Sequence, residues 1–331
     1  MLEERRSEVL RAIVEEHIRT AEPVSSRAVL ESTGLEVSAA TIRSDLAALE
    51  RDGFLAQPHT SAGRVPTPRG YRYYVDHLTP PPLRESAERR IDAFFSSMQV
   101  QADRLLKAAT VLLSEITEYP SVAVAPAPGG ERIKAAHLVQ LAPAGVLLVL
   151  VTESGRVTQE PIRLPEEVIL AEVARAEELL AQRVAGRPLG RTELVVTDEP
   201  DELPTAVRTV LREAGLALDR AGSATAEVYV GGTQRMTSIW EDLQTVRQVL
   251  EMLERETMVR EILARSAGTS IQIGAEVPAG GGVDLAVVST SFRASGSAGR
   301  LGVIGPMRMD YRRAISAVES VGRELGDRIG S

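Results

Sequence analysis

Apolar side chains near the amino terminus recur at the spacing of helical faces in three successive segments. On the first segment, one face collects four apolar residues: Leu10, Ile13, Val14 and Ile18. This spacing predicts a helix that ends near Arg19. Pro23 then interrupts the chain, and a second helix is predicted over residues 26–32, with Ser25 as its N-cap and Gly34 in the turn after it.

The third segment predicts a helix over residues 39–52, with Ser38 as its N-cap and Gly53 at its end. The apolar face of this helix is formed by Ile42, Leu46 and Leu49. Two short extended runs follow at residues 54–57 and 64–65, separated by a polar tip. Three helices followed by a β-hairpin is the order of elements in a winged helix-turn-helix domain.

In such a domain the third helix enters the major groove of DNA, with its amino-terminal turns towards the base edges. Side chains suited to that position are small, carry hydroxyls, or are arginines that can donate two hydrogen bonds to guanine. On the third helix the candidate DNA contacts are Ser38, Ala39, Thr41, Arg43 and Ser44, and Asp45 also lies off the apolar face. At the start of the second helix, where backbone N–H groups can hold a phosphate, the candidates are Ser25, Ser26 and Arg27. In the hairpin and the segment after it, the candidates are His59, Thr60, Ser61, Arg64, Arg69 and Arg72.

The net charge of −8 argues against a general affinity for nucleic acid, because that affinity requires neutralisation of phosphates. The local distribution changes this picture, since residues 54–75 contain three arginines and no acidic residue. A modest positive region of this kind favours site-specific binding over affinity for bulk DNA. A winged helix used for protein contacts is the alternative, because a fold does not determine its function.

Beyond the hairpin the pattern predicts an α+β arrangement. Tyr71, Tyr73 and Tyr74 alternate at a period of two, and we expect them to pack against the three helices rather than stack on bases. Residues 79–83 contain three consecutive prolines and predict a stiff linker. The predicted helices cover about 84–117, 165–185, 203–217, 239–256 and 311–329. The predicted strands cover 122–125, 133–141, 146–152, 156–164, 194–197, 228–231, 270–273, 285–290 and 301–304.

Three long strings and two shorter ones are distinctive in this sequence. The long strings are residues 38–50 (SAATIRSDLAALE), 53–67 (GFLAQPHTSAGRVPT) and 70–76 (GYRYYVD). The shorter strings are 230–233 (VGGT) and 302–311 (GVIGPMRMDY). Together they closely resemble the HrcA family of bacterial heat-inducible transcription repressors. The resemblance extends from the first helix to the last.

The resemblance implies a multidomain α+β protein. Its parts would be a winged helix-turn-helix domain over residues 1–78, a linker over 79–83, a GAF-like domain over 84–152 and 236–331, and an α+β dimerisation domain inserted over 153–235. The resemblance also implies a homodimer that binds double-stranded DNA at an inverted-repeat operator called CIRCE and represses heat-shock chaperone operons. The implied protein partner is the chaperonin GroEL, which would keep the repressor active.

The sequence predicts no enzyme, no cofactor and no metal site. Cysteine is absent, which excludes Cys-ligated metals and thiol nucleophiles, and the four histidines are not paired at i+3 or i+4. The glycine-rich runs 274–283 and 296–302 do not match a P-loop. The chain has no apolar run long enough to span a bilayer and no signal-peptide pattern, so we expect a cytoplasmic protein without membrane contact. A regulator that senses a small ligand through the GAF-like domain is the alternative function.

Overall fold

The computed structural model describes residues 2–35, 37–58, 63–97, 102–189, 203–224, 226–240, 242–264, 268–278, 284–294 and 297–330. Within these ranges the chain is a mixed α and β protein whose strands form sheets of two, three and five strands. This arrangement confirms the predicted α+β class. None of the helices in these ranges is long and apolar enough to cross a membrane.

The amino-terminal part of the chain, residues 2–78, is called the head below. Its elements are α1 (Glu4–Thr20), α2 (Ser26–Thr33), α3 (Ala39–Arg51), β1 (Leu55–Ala56), β2 (Val65–Pro66) and α4 (Pro68–Asp76). The predicted caps are confirmed, because the Ser25 side chain accepts from the Ala28 N–H and the Ser38 side chain accepts from the Thr41 N–H. Strands β1 and β2 pair antiparallel, with Leu55 opposite Pro66. The expected helices and hairpin are therefore present.

The tyrosine-rich segment after the hairpin forms a helix. The period of two read for these tyrosines, which placed Tyr71 and Tyr73 on one face, was wrong. Thr67 caps this helix, α4, by accepting from the Gly70 N–H, and Pro68 occupies its first turn. Tyr71, Tyr74 and Val75 then fall on one buried face at i, i+3 and i+4. The packing of the tyrosines was predicted correctly even though the element was not.

A five-stranded antiparallel sheet forms the centre of the larger part of the chain. In spatial order its strands are β7 (Val228–Gly231), β3 (Ser121–Val124), β10 (Ser297–Pro306), β9 (Leu285–Ala294) and β8 (Ser270–Ile273). Helix α5 (Glu85–Ser97) packs on the last helix, α12 (Tyr311–Gly330), which together with α6 (Ala102–Thr117) covers one face. The other face packs on α9 (Met236–Ile239), α10 (Leu243–Glu254) and α11 (Glu256–Leu263). Both faces of this sheet are therefore covered, and we call this part the body.

A separate three-stranded sheet has its own core. Its strands are β4 (Ile133–Ala142), β5 (Gly145–Thr152) and β6 (Val157–Arg163), in that order. The helices α7 (Leu170–Val184) and α8 (Thr205–Ser223) cover one face and bury a cluster that includes Leu148, Leu180 and Leu211. The insertion expected over residues 153–235 does not coincide with this sheet. Its first boundary separates β5 from β6, which pair with each other. Its second boundary includes β7, which pairs with β3 of the five-stranded sheet.

Two long predicted helices are divided in the structure. The helix expected over 84–117 is described as α5 and α6, and residues 98–101 lie outside the described residues. The helix expected over 239–256 ends at Glu254, is preceded by the short α9, and is followed directly by α11. The strand expected at 194–197 lies outside the described residues.

Candidate nucleic-acid interface

Helix α3 presents one polar and small-residue stripe to solvent. Its apolar residues Ile42, Leu46 and Leu49 are buried against α1 and α2, as the spacing predicted. The exposed residues on the other side are Ala40, Arg43, Ser44, Ala47 and Arg51. Neither Arg43 nor Arg51 forms an ion pair with any residue that the structure describes. A narrow, exposed row of small and polar side chains of this kind fits into a long groove.

The amino-terminal cap of α3 lies at the end of this stripe. Ser38 is exposed, and its hydroxyl lies 2.9 Å from the Thr41 hydroxyl while accepting from the Thr41 N–H. Thr41 and Ala39 are half-buried. The hydroxyls of Ser38 and Thr41 are therefore held together by the cap, beside the exposed Arg43.

Asp45 is the exception among the residues off the apolar face. Its side chain is only 2% exposed, and it accepts hydrogen bonds from Arg5 Nε at 2.7 Å and Arg6 Nε at 3.3 Å. The Arg5 guanidinium holds the pKa of the Asp45 carboxyl below its usual value. Asp45 therefore faces α1 instead of the exposed stripe. The sequence did not indicate this, because its partners lie about forty residues earlier in the chain.

The start of α2 carries the three predicted phosphate contacts. The Ser25 hydroxyl is used by the helix cap, and Ser26 is half-buried. Arg27 is exposed and pairs with Glu31 at 2.8 Å on the same helix. This pair is solvated and weak, so it leaves the Arg27 guanidinium able to change partners.

Arg64 fastens the hairpin to the rest of the head. Its guanidinium lies 2.8 Å from the Glu50 carboxylate of α3, and its side chain is 20% exposed. Its backbone exchanges hydrogen bonds with Val24 at 2.9 and 2.8 Å. A side chain at the preceding Gly63 would clash with the Val24 carbonyl group, so glycine allows this close approach. The hairpin tip with His59, Thr60 and Ser61 lies outside the described residues.

The two remaining predicted arginines contact protein groups. Arg69 donates to the Asp52 carbonyl oxygen at 2.8 Å, and its guanidinium lies 4.5 Å from the centroid of the Phe54 ring. Arg72 donates to Glu276 and to the Ile271 carbonyl oxygen of the body. These contacts engage the Arg72 guanidinium with the body, and its contact with DNA stays a prediction. The partners of Arg72 are about 200 residues away in the chain, so the local charge pattern could not indicate them.

Two further candidate residues on this surface were not predicted from the sequence. Arg51 and Ala47 continue the exposed stripe of α3, and the signal was present, because Arg43, Ala47 and Arg51 are spaced by four residues. The described residues contain no group of three acidic or histidine side chains that could hold a metal ion.

Comparisons with known proteins agree with the resemblance noted above. A family model described as the HrcA protein C terminal domain matches residues 103–315. The heat-inducible transcription repressor HrcA of Rhodococcus jostii is 37% identical over 98% of this chain and 97% of its own length. The repressor of the same name from Streptomyces avermitilis is 39% identical over 98% of each chain.

The fold also has a counterpart among solved structures. The crystal structure of a hypothetical protein covers 100% of this chain and 99% of its own, with a TM-score of 0.68 and 24% sequence identity. That likeness shows a shared fold. The family model spans more than half of this chain, and the relatives match it along nearly its whole length. The chain therefore belongs to the HrcA family of heat-inducible transcription repressors, which are not enzymes.

Proposed function

We propose that this chain represses heat-shock chaperone operons by binding, as a homodimer, an inverted-repeat DNA operator of the CIRCE type. The observation that carries the proposal is the exposed stripe of α3. Arg43 and Ser44 lie on the amino-terminal turns of that helix, which is the part that a helix-turn-helix protein turns towards the base edges. Repression then needs only occupancy of the operator and no chemical step.

The head is proposed to be a winged helix-turn-helix domain. The order of three helices and an antiparallel hairpin supports this, as does the backbone pairing of Val24 with Arg64, which adds a third short segment to the hairpin. The proposed DNA contacts on the helices are Ser25, Ser26, Arg27, Ser38, Ala39, Thr41, Arg43, Ser44 and Arg51. His59, Thr60 and Ser61 of the hairpin tip remain predicted contacts. Arg64 and Arg69 are proposed to hold the hairpin and the end of α3 in position.

The body is proposed to be the GAF-like domain. The three-stranded sheet, together with α7 and α8, is proposed to be the inserted dimerisation domain. Strand pairing and the separate core support limits near residues 131 and 224 for the insertion. The face of the three-stranded sheet opposite α7 and α8 supports a role in dimerisation. That face contains Leu147, Val149 and Val151, which are half-buried, and Val139 and Val157, which are 46% and 37% exposed. An apolar sheet face of this kind is commonly buried against a second chain.

GroEL is proposed to maintain the active form of the repressor, a proposal that rests on the family resemblance alone. Binding to excess operator measures the active fraction of the purified chain after dilution from denaturant. We expect GroEL with ATP to raise that fraction without changing the affinity of each active molecule, because only the competent population changes. A fraction near one without GroEL would contradict this part of the proposal.

The central experiment compares Arg43→Ala with the wild-type chain on operator DNA and on scrambled DNA of equal length. A lost base contact costs about 1–3 kcal/mol, so we expect operator affinity to fall by about 5- to 150-fold and scrambled binding to change much less. Arg89→Ala is the matched control, since Arg89 is an exposed arginine of α5 paired with Glu85. Equal losses on both DNAs would limit Arg43 to phosphate contact. No operator preference in the wild type would contradict the proposed function itself.

A cavity in the body favours a second candidate function, regulation by a small anionic ligand. It has a volume of about 390 Å³ and lies between the linker, α5 and α12. Its lining contains one aspartate, Asp310, and four arginines: Arg84, Arg90, Arg312 and Arg313. Volumes of this size are common for small-molecule sites. Inorganic phosphate and nucleotides would raise the melting temperature of the chain if this candidate is correct, because ligands that bind the folded state stabilise it.

A further inference from the structure

Helix α4 is the element of the head that packs most directly against the body. The rings of Tyr71 in α4 and Tyr311 in α12 lie 6.2 Å apart between centroids, and both residues are buried. Pro68 packs close to Gly274, where the body turns after β8. The apolar core of the head is therefore continuous with that of the body.

Two ion pairs flank the contact between Tyr71 and Tyr311, and each involves the residue that follows one of these tyrosines. Arg72 of the head donates from Nε to Glu276 Oε1 at 3.0 Å, and its Nη2 donates to the second oxygen of Glu276 and to the Ile271 carbonyl oxygen. Arg312 of the body donates to Glu15 of α1 at 2.8 Å. Both oxygens of the Glu276 carboxylate are therefore engaged by one guanidinium, which gives the pair a defined direction.

The two pairs have opposite polarity. The head supplies the arginine in one pair and the glutamate in the other, so a rotated head would bring like charges together. Glu276 is itself held by the Ile273 N–H at 3.0 Å, and the linker is held where Ser316 donates to the Pro81 carbonyl oxygen at 2.6 Å. Glu276 is thus fixed within the body, and the linker is fixed to α12.

We propose that the pairs Arg72–Glu276 and Arg312–Glu15 are positioning pairs that set the orientation of the head on the body and so select the separation of the two DNA half-sites. This inference rests on the proposed function. A dimer that reads an inverted repeat must hold its two α3 helices at a separation that matches the helical repeat of DNA. If the heads turned freely, each could still bind a half-site, but the preference for one separation would be lost.

The test uses the full-length chain with the charge reversals Arg72→Glu and Glu276→Arg, singly and together. Binding is measured to operators whose half-site separation is varied by inserted or deleted base pairs, and to a single half-site. We expect each single reversal to lower affinity for the preferred separation by about tenfold and to flatten the dependence on separation, while half-site binding stays unchanged. The double reversal recovers affinity, because it re-forms the pair with its polarity exchanged. It recovers the dependence on separation only in part, because both pairs then have the same polarity.

Arg89→Glu in α5 makes the same change in net charge as Arg72→Glu, at a position away from the head, and is its matched control. If a reversal prevents folding, Glu276→Gln keeps the shape of the side chain and removes its charge, and the same change in dependence on separation is expected from it. Equal loss by Arg72→Glu on the half-site and on the full operator would make Arg72 a DNA contact and overturn the inference. An unchanged dependence on separation in folded variants would also overturn it. A wild-type chain without operator preference would instead count against the proposed function.

Discussion

Helices α3 and α4 lie on either side of the hairpin in sequence, and each carries two arginines, but they use them in opposite ways. On α3 the guanidinium groups of Arg43 and Arg51 extend into solvent, and neither is paired with a described residue. On α4 the guanidinium groups of Arg69 and Arg72 donate to the end of α3 and to the body. A count of local charge cannot distinguish these two helices, whereas the partners of each guanidinium do.

This difference supports the proposal that α3 contacts DNA and that α4 holds α3 in place. Helix α3 is fixed from behind by Asp45, which pairs with Arg5 and Arg6 of α1. Helix α4 is fixed through Tyr71, whose hydroxyl lies 2.7 Å from His17 Nδ1. The exposed stripe of α3 is thus supported by buried polar contacts that involve no DNA.

The largest expected effect concerns this support of α3. Asp45→Asn removes the charge from a buried carboxylate that pairs with Arg5 and Arg6. We expect a loss of about 1–3 kcal/mol of stability, less than for a fully enclosed pair because Arg5 and Arg6 are 42% and 32% exposed. Thermal unfolding measures the change. Asp92→Asn, at an exposed position of α5, is the control and should have little effect.

The pH dependence of the same pair has a definite sign. Because Arg5 lowers the pKa of Asp45 in the folded chain, the pair stabilises the head above about pH 4, the range in which the unfolded carboxyl is ionised. That stabilisation is lost as the pH falls through the folded pKa. A variant Asp45→Asn that is as stable as the wild type at pH 7 would show that α3 is held by its apolar face alone.

Local features of the fold were predictable from the sequence, and distant contacts were not. Caps such as Ser25 and Ser38 act within three residues, so the limits of α2 and α3 could be predicted closely. The tyrosines of α4 were assigned the wrong period because four residues fit spacings of two and of three or four equally well. The preceding Thr67-Pro68 was the signal for a helix start that resolves this ambiguity.

The candidate site was predictable only in part. The apolar stripe of α3 gives its buried side, and therefore gives Arg43 and Ser44 as exposed. It does not give the partners of Asp45 or Arg72, which come from distant parts of the chain. The boundaries expected for the insertion differ from the strand pairing for the same reason. Spacing along the sequence does not show that β7 pairs with β3 of the five-stranded sheet and not with the β4–β6 sheet.

A smaller effect separates the two kinds of arginine directly. Arg51→Ala should reduce the slope of log K against log salt by about 0.9, the value for one lost phosphate contact. Arg69→Ala should leave that slope unchanged, because its guanidinium is bonded to the Asp52 carbonyl oxygen and stacked on Phe54. Titrations at several salt concentrations measure both slopes. If Arg69→Ala lowered the slope and Arg51→Ala left it unchanged, α4 and not α3 would be the helix that contacts phosphates.

The smallest expected effect concerns how α4 is held. Burial, and then the nearby charge of Arg308 in the body, lowers the pKa of His17, while Glu22 acts weakly in the opposite direction. A histidine with a lowered folded pKa contributes stability above its unfolded pKa of about 6.5 and loses it as the pH falls. Protonation of His17 would place a cation next to Arg308 and change its contact with the Tyr71 hydroxyl.

We therefore expect acid to loosen α4 before it affects α3, whose carboxylate pair persists to lower pH. Between pH 7.5 and 5.5 the melting temperature of His17→Gln should fall by about 1–2 °C less than that of the wild type. His137→Gln is the control, because His137 is an exposed histidine of β4, outside the head. An identical fall in melting temperature in the wild type and in His17→Gln would show that protonation of His17 does not loosen α4. A reduced fall in His17→Gln, together with a flatter dependence on half-site separation of the wild type at pH 5.5, would connect His17 to the orientation of the head.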